Sequence, residues 1–188
     1  MDAVTDKRPL YGGAFSAILP DAIQDVSDLR EIPDNQEVFA HASTDQSIIV
    51  ELLEYQEGMT DTEAARYHFE DVASGNSAEG RSEVLSVEPF PLAQLSLTNC
   101  ASAWALTGLQ QVAKFNEEAL NTVNIYLVLC RLPHYSTDLL VTFNDPIVID
   151  PFSSSAVGGA AESSLRWTVE DLHRLVSSLQ LNDPGIFS

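Results

Sequence analysis

The sequence predicts an α+β domain in which a central, largely antiparallel β-sheet is flanked by helices, giving three layers. Segments rich in β-branched and apolar residues follow one another without the alternating helices that the βαβ units of a parallel sheet require. Two amphipathic helical segments lie apart, near the middle and near the end of the chain. The few residues of 133–138 join two strand-like segments, which only antiparallel neighbours allow. Together these features favour a sheet with helices on its faces.

The chain of 188 residues fits a single domain. We expect a disordered segment over residues 1–9, which contain four charged side chains, and one globular domain over residues 10–188. The first ten residues have no apolar signal core, and no run reaches the roughly 18 apolar residues that span a bilayer. The sequence therefore predicts a soluble intracellular protein with no direct insertion into a membrane.

The first third of the chain is predicted to be mostly strand. Residues 10–19 suggest one strand with a bulge at Gly12 and Gly13, ended by Pro20. A short helical turn is expected at residues 26–30, and strands at residues 37–41 and 48–53 on either side of a polar turn. On the last of these strands, Glu51 and Glu54 would point to opposite faces of the sheet.

Two helices have clear start and stop signals. Thr60 and Glu63 form a capping box, after which apolar residues recur at helical spacing until Gly75 ends the segment. Thr168 begins the second helix, whose apolar stripe is followed by a terminating sequence at residues 182–185. That stripe consists of Leu172, Leu175, Val176 and Leu179.

The remaining segments are strands and loops. Strands are predicted at residues 83–88, 103–112, 123–132 and 139–143, the last two joined as a hairpin. Residues 74–82 and 147–164 have the composition of mobile loops, and no role is assigned to either.

The strong acidic bias limits the partners of this protein. Twenty-eight acidic residues against nine basic ones give a net charge of -19. Such a field disfavours binding to nucleic acid and to anionic membranes, and it speeds encounter with a basic partner. The composition alone is equally consistent with acidity that only keeps the protein soluble.

Signatures of catalysis are missing from the sequence. The phosphate-binding glycine motifs and the nucleophile elbow are absent, and the four histidines are too widely spaced for a metal site. Cys100 and Cys130 form no Cys-x-x-Cys pair and lie in apolar surroundings, so reduced core thiols are expected. Paired carboxylates could act as general acid and base, but a solvated acidic face is the better interpretation. We expect no enzyme activity, cofactor or metal.

The stretch of residues 25–39, together with the acidic run that ends at Glu54, is interpreted as a recognition surface. Glu51 and Glu54 interrupt an apolar run, where a sheet would gain from burial. Their charge therefore needs compensation, either from an internal arginine such as Arg30 or from an external cation. The expected binding residues are Asp34, Asn35, Gln36, Glu37, Asp45, Glu51 and Glu54.

Several collinear blocks of this chain resemble the Ran guanine nucleotide release factor family. The blocks cover residues 10–15, 25–39, 45–54, 65–72, 131–140 and 183–187, and so run over nearly the whole chain. The resemblance implies a PsbP-like fold and a non-enzymatic partner of the small GTPase Ran. Such a partner promotes loss of the guanine nucleotide, supports nuclear protein import and is found in nucleus and cytoplasm.

The resemblance also indicates site residues. The family's acidic Ran-binding positions fall on Glu51 and Glu54, and the neighbouring block of residues 34–37 matches as well. Vertebrate members of the family are linked to surface delivery of a cardiac sodium channel. An alternative function is therefore a trafficking adaptor that binds a cytoplasmic loop of a sodium channel through an apolar edge or through Trp167.

Overall fold

The computed structural model describes residues 7–75, 80–113, 120–148 and 166–187. Within these residues, the strands are β1 (Lys7–Leu10), β2 (Phe15–Ile18), β3 (Ile23–Asp25), β4 (Gln36–His41), β5 (Ser47–Glu54), β6 (Ser82–Pro89), β7 (Ser102–Ala113), β8 (Leu120–Leu132), β9 (Thr137–Val148) and β10 (Gln180–Leu181), and the helices are α1 (Asp61–Gly75) and α2 (Val169–Ser178). A seven-stranded antiparallel sheet has the strand order β3-β4-β5-β9-β8-β7-β6, and a smaller antiparallel sheet has the order β1-β2-β10. The antiparallel α+β architecture predicted from the sequence is confirmed.

Helix α1 covers one face of the large sheet. The predicted capping box is confirmed, because the Thr60 amide donates to Glu63 Oε1 at 2.8 Å and the Glu63 amide donates to Thr60 Oγ1 at 3.3 Å. The buried face of the helix presents Phe69, which packs among sheet residues such as Leu106 and Ile125. A Cβ at Gly108 would lie only 2.6 Å from the Phe69 ring, so glycine allows this close approach.

Helix α2 and the small sheet share the opposite face. Thr168 caps the helix and forms a capping box with Asp171, as the sequence predicts. The predicted apolar stripe is buried, and it packs in one core with Phe15 of β2 and Val141 of β9. With α1 on the other side, these elements complete the expected three layers.

The longest strands form the middle of the sheet. β8 and β9 are joined by a short 3-10 turn over Pro133–Tyr135 and by Ser136, whose φ is 52°. The predicted hairpin is therefore confirmed. Both strands extend beyond the predicted ends, because pairing between them continues into residues with weak strand signals, as far as Val148.

The start of the chain differs from the prediction. Residues 10–19 do not form one strand, because Tyr11, Gly12 and Gly13 have φ values of 53°, 67° and 101° and reverse the chain direction. The two sides then pair as the hairpin of β1 and β2, with Leu10 opposite Phe15. The expected disorder over residues 1–9 is wrong for residues 7–9, which lie in β1, and residues 1–6 lie outside the described part.

The turn predicted at residues 26–30 is present as a 3-10 turn over Val26–Asp28. Of the predicted loop at residues 74–82, the first two residues complete α1 and Ser82 begins β6, while residues 76–79 lie outside the described residues. Ile147 and Val148 of the predicted loop at 147–164 belong to β9, and residues 149–164 are likewise outside. No helix in the described ranges has the length and apolar character needed to cross a membrane.

Candidate recognition surface

The structure brings most of the predicted binding residues together at one end of the hairpin formed by β4 and β5. Gln36 lies directly opposite Glu51 in the sheet. Just before β4, Asn35 accepts from the Leu52 amide at 2.9 Å and donates its side-chain amide to the Leu52 carbonyl at 3.2 Å. We call this region the acidic hairpin end, and it consists of Asp34, Asn35, Gln36, Glu37, Glu51 and Glu54.

Glu51 lies on the α1 face of the sheet and is partly buried. Its Oε2 accepts a 2.8 Å hydrogen bond from the Gln36 side-chain amide. Burial raises the pKa of the Glu51 carboxyl, the bond from Gln36 lowers it, Asp71 raises it and His68 lowers it. Within the protein, the charge of the Glu51 carboxylate is thus compensated first by the Gln36 side-chain amide and not by Arg30, whose side chain is exposed.

Glu37 lies on the other face and is held by Tyr11. The Tyr11 amide donates to Glu37 Oε2 at 3.0 Å, and the Tyr11 hydroxyl lies 2.9 Å from the Val50 carbonyl and 3.0 Å from the Asn35 carbonyl. Burial raises the pKa of Glu37, the bond from Tyr11 lowers it and the charge of Asp25 raises it. Tyr11 is a site residue that sequence reasoning missed, although its place before two glycines marks an unusual backbone.

The strand register separates the two glutamates that the family resemblance singles out. Glu51 pairs with Leu140, which belongs to the core beneath α1, whereas Val50 and Glu37 face the core beneath α2. Glu54 lies three residues after Glu51 on the same strand, so its side chain points to the opposite face of the sheet. That face is the one on which Glu37 lies. The predicted opposite orientation of Glu51 and Glu54 is confirmed. Carboxylates consequently line both faces of the acidic hairpin end.

Asp45 does not join this group. It lies in the turn between β4 and β5, at the other end of the hairpin. The six residues of β4 span roughly 16 Å at about 3.3 Å per step, so Asp45 is about one strand length from Gln36. A single small contact cannot include both ends.

A groove of about 380 Å³ adjoins the acidic hairpin end. Its walls combine apolar groups with three carboxylates. Carboxylate oxygens of this kind accept charge-assisted hydrogen bonds from lysine and arginine, while the apolar walls accommodate their aliphatic stems. The groove is lined by Tyr11, Asp25, Pro33, Asp34, Glu37 and Ile186, among others.

A buried ionic network supports the segment that follows Glu54. Arg131 Nε donates to Asp138 Oδ1 at 3.1 Å, and His68 Nε2 lies 2.9 Å from Asp138 Oδ2. Arg131 also donates to the Gln56 carbonyl at 2.8 Å and lies over the Tyr55 ring, 4.2 Å from its centroid. The network therefore fixes the chain directly after β5. His68 is buried in this network, and no local signal in the sequence shows its partners.

Trp167 does not provide an exposed anchor. Its exposed fraction is 4%, its indole nitrogen donates to the Asp21 carbonyl at 2.6 Å, and its amide donates to Gln46 Oε1 at 2.8 Å. The predicted use of Trp167 as a partner contact in a trafficking adaptor is therefore wrong. Trp167 instead packs in the core beneath α2.

Comparison with known proteins is consistent across sequence and structure. Residues 8–146 match the model of the family described as Ran-interacting Mog1 protein. The Ran guanine nucleotide release factor of Danio rerio is 56% identical over 96% of this chain and 98% of its own length, and that of Homo sapiens is 51% identical over 95% of each. The nuclear import protein MOG1 of Saccharomyces cerevisiae is 30% identical over 95% of this chain and 83% of its own length.

Solved structures show the same fold. The crystal structure of the Ran-binding protein Mog1p of Saccharomyces cerevisiae superimposes with a TM-score of 0.70 and 24% identity, and the match covers 97% of each chain. A glutamate-to-alanine mutant of Mog1 gives a TM-score of 0.69 over 97% of this chain and 98% of that one. By its sequence match and by the identity of its relatives, this chain belongs to the family of Ran-interacting Mog1 proteins.

Proposed function

We propose that this protein binds the GTPase Ran through the acidic hairpin end and promotes release of the guanine nucleotide from Ran, without acting as a conventional catalyst. In this role it supports nuclear protein import and acts in both nucleus and cytoplasm. The family membership supports Ran as the partner. The names of the fungal relatives, nuclear import proteins, support the process.

The observation that carries the proposed site is the arrangement of carboxylates around one hairpin end. Glu51 and Glu37 are partly buried on opposite faces, where Glu51 accepts a hydrogen bond from Gln36 and Glu37 accepts one from the Tyr11 amide. Glu54 and Asp34 are exposed beside them. Preorganised carboxylates with unused acceptor positions suit lysine and arginine side chains of a partner.

Nucleotide release follows if the factor and the nucleotide compete for one state of Ran. A factor that binds both states equally shifts nothing, so it must prefer the nucleotide-free or opened form. Carboxylates achieve this when they pair with basic groups that otherwise hold phosphate. The two ligands then disfavour each other by a typical coupling of about 1–3 kcal/mol.

The experiment measures release of a fluorescent guanine nucleotide from Ran, with and without the protein. Glu54→Lys reverses a charge at an exposed position, so the fold should remain intact while binding and release are lost. Glu88→Lys is the matched control, because Glu88 is exposed on β6 at the far edge of the sheet. It should behave as the wild type.

The outcomes separate partner from site. No acceleration of release by the wild-type protein contradicts the proposed activity. Normal release with both Glu54→Lys and Glu51→Lys contradicts the site but leaves Ran as the partner. The sodium-channel adaptor stays a prediction from the family resemblance.

A further inference from the structure

The two cysteines form a pair that is not part of the proposed Ran-binding surface. We propose that Cys100 and Cys130 are a peroxide-sensitive modification site, in which Cys100 is oxidised first and Cys130 then closes an intramolecular disulfide. This proposal is independent of the Ran-binding surface.

The sheet places the two sulfurs together. Cys130 is fully buried on β8, opposite Ala103 of β7. Cys100 lies two residues before β7, and the 2.9 Å hydrogen bond from the amide of the next residue, Ala101, to the Arg131 carbonyl ties this segment to β8 beside Cys130. Both thiols are free, and their side chains share a hydrogen bond. The two thiols are therefore neighbours in the fold.

The pair is asymmetric in exposure. Cys100 is only partly buried, and its sulfur lies 3.2 Å from the Ser102 carbonyl oxygen. Cys130 lies inside the apolar core with neighbours such as Leu132 and Leu139. The expectation of core thiols is confirmed for Cys130, whereas Cys100 packs against the edge of that core and is only partly buried. A small oxidant in solution reaches Cys100 first, while Cys130 is shielded behind it.

The pair is also asymmetric in acidity. The hydrogen bond shared with Cys130 lowers the pKa of Cys100, burial raises it, and backbone hydrogen bonds with Ser102 and Arg131 lower it again, with a net lowering. The pKa of Cys130 is raised by its bond to Cys100 and by burial. Since the thiolate is the nucleophile, the accessible sulfur is also the reactive one.

The chemistry needs one equivalent of hydrogen peroxide. The Cys100 thiolate attacks one peroxide oxygen, the O–O bond breaks and hydroxide leaves, giving a sulfenic acid. The Cys130 sulfur then attacks the Cys100 sulfur, its proton neutralises the departing hydroxide, and water is released as the S–S bond forms. Two thiols are oxidised and one peroxide is reduced to two waters.

The test exposes the full-length protein to hydrogen peroxide and maps its peptides without reduction. The expected product is a peptide pair linked through Cys100 and Cys130, formed at a rate independent of protein concentration. In Cys130→Ala, Cys100 should accumulate as a sulfenic acid that a dimedone probe captures. In Cys100→Ala, oxidation of Cys130 should slow by about tenfold or more, because the buried thiol is poorly accessible.

Folding of each variant is checked by circular dichroism, and the wild-type peptide map stands even where a variant fails to fold. Recovery of both thiols as free cysteines, disulfides between molecules, or direct oxidation of Cys100 to sulfinic acid without a linked peptide would overturn the proposal. Faster oxidation of Cys130 than of Cys100 would overturn the assigned order.

Discussion

Two carboxyl groups of the acidic hairpin end are held in an environment that disfavours their charge. Burial raises the pKa of both Glu37 and Glu51 above the ordinary value of 4.5. Their hydrogen bonds from Tyr11 and Gln36 offset only part of this effect. A cationic group of a partner would stabilise the charged form that burial disfavours. Binding should therefore stabilise these two carboxylates more than it would a fully exposed carboxylate.

Glu51→Gln tests the burial of this carboxyl without changing its size. Because folding raises the pKa of Glu51, the folded state binds its proton more tightly than the unfolded chain does. The wild-type free energy of unfolding therefore falls as pH rises from about 4.5 through the raised pKa. The variant lacks this loss, so its stability relative to wild type should increase from pH 4 to pH 7.

Urea unfolding at several pH values measures this difference. Glu54→Gln is the control, because Glu54 is exposed on the same strand. If the stability difference between Glu51→Gln and wild type does not change with pH, burial does not raise the pKa of Glu51.

At the scale of the element, α1 depends on one close contact with the sheet. The Phe69 ring lies where a side chain at residue 108 would otherwise lie, and a Cβ there would also approach the Glu83 carbonyl oxygen at 2.8 Å. The carbonyl belongs to the backbone of a paired strand and cannot easily move. The spacing between α1 and the sheet is therefore set by a glycine on β7.

Gly108→Ala should destabilise the protein by about 1–3 kcal/mol, because the added methyl overpacks this contact. Thermal or urea unfolding measures the change. Gly75→Ala is the matched control at the end of α1, where a Cβ meets nothing within 4 Å and its φ is not in the left-handed region. That substitution should leave stability unchanged or raise it by up to about 1 kcal/mol. Equal stability of the two variants would contradict the packing argument.

At the scale of the whole molecule, the Arg131 network joins α1, the strands β8 and β9, and the segment after β5. Arg131 and Asp138 have exposed fractions of 1% and 0%. Two charges at this depth are tolerable only as a hydrogen-bonded pair. The contacts to Gln56 and Met59 carry this constraint to the chain that follows Glu54.

Asp138→Ala should cost about 3–5 kcal/mol, because it removes the fully buried carboxylate partner of Arg131 and leaves only the partly exposed Asp61, 3.2 Å from the guanidinium. Arg174→Ala, which removes an exposed partner 3.8 Å from Asp171, should change stability by no more than about 0.5 kcal/mol. Chemical denaturation compares the two. A loss below about 1 kcal/mol for Asp138→Ala would show that water or another group satisfies Arg131.

The net charge of -19 should also act over the whole molecule. If the acidic field steers encounter with Ran, the association rate should fall by tenfold or more between about 0.05 M and 0.5 M salt, while dissociation changes less. Stopped-flow mixing measures both rates. An association rate that does not change with salt would mean that the acidity serves solubility and not recognition.

The sequence by itself determined the strands β4 to β9, both helices and their caps, because these depend on local periodicity and on side chains within four residues. It also identified residues 34–37, Glu51 and Glu54 as candidate binding residues. The antiparallel pairing of the two strands that carry them follows from the strand pattern. The turn at Tyr11 was missed, since a left-handed tyrosine before two glycines has no periodic signal.

Only the tertiary structure decided how distant residues combine. The pairing of Gln36 with Glu51, the bond from Tyr11 to Glu37 and the network of Arg131, Asp138 and His68 join positions far apart in the chain. The burial that raises the pKa of Glu51 comes from the packed fold and not from its neighbours in sequence. Local patterns therefore determined both helices and the strands β4 to β9, while the register and packing of the sheet determined which carboxylates meet.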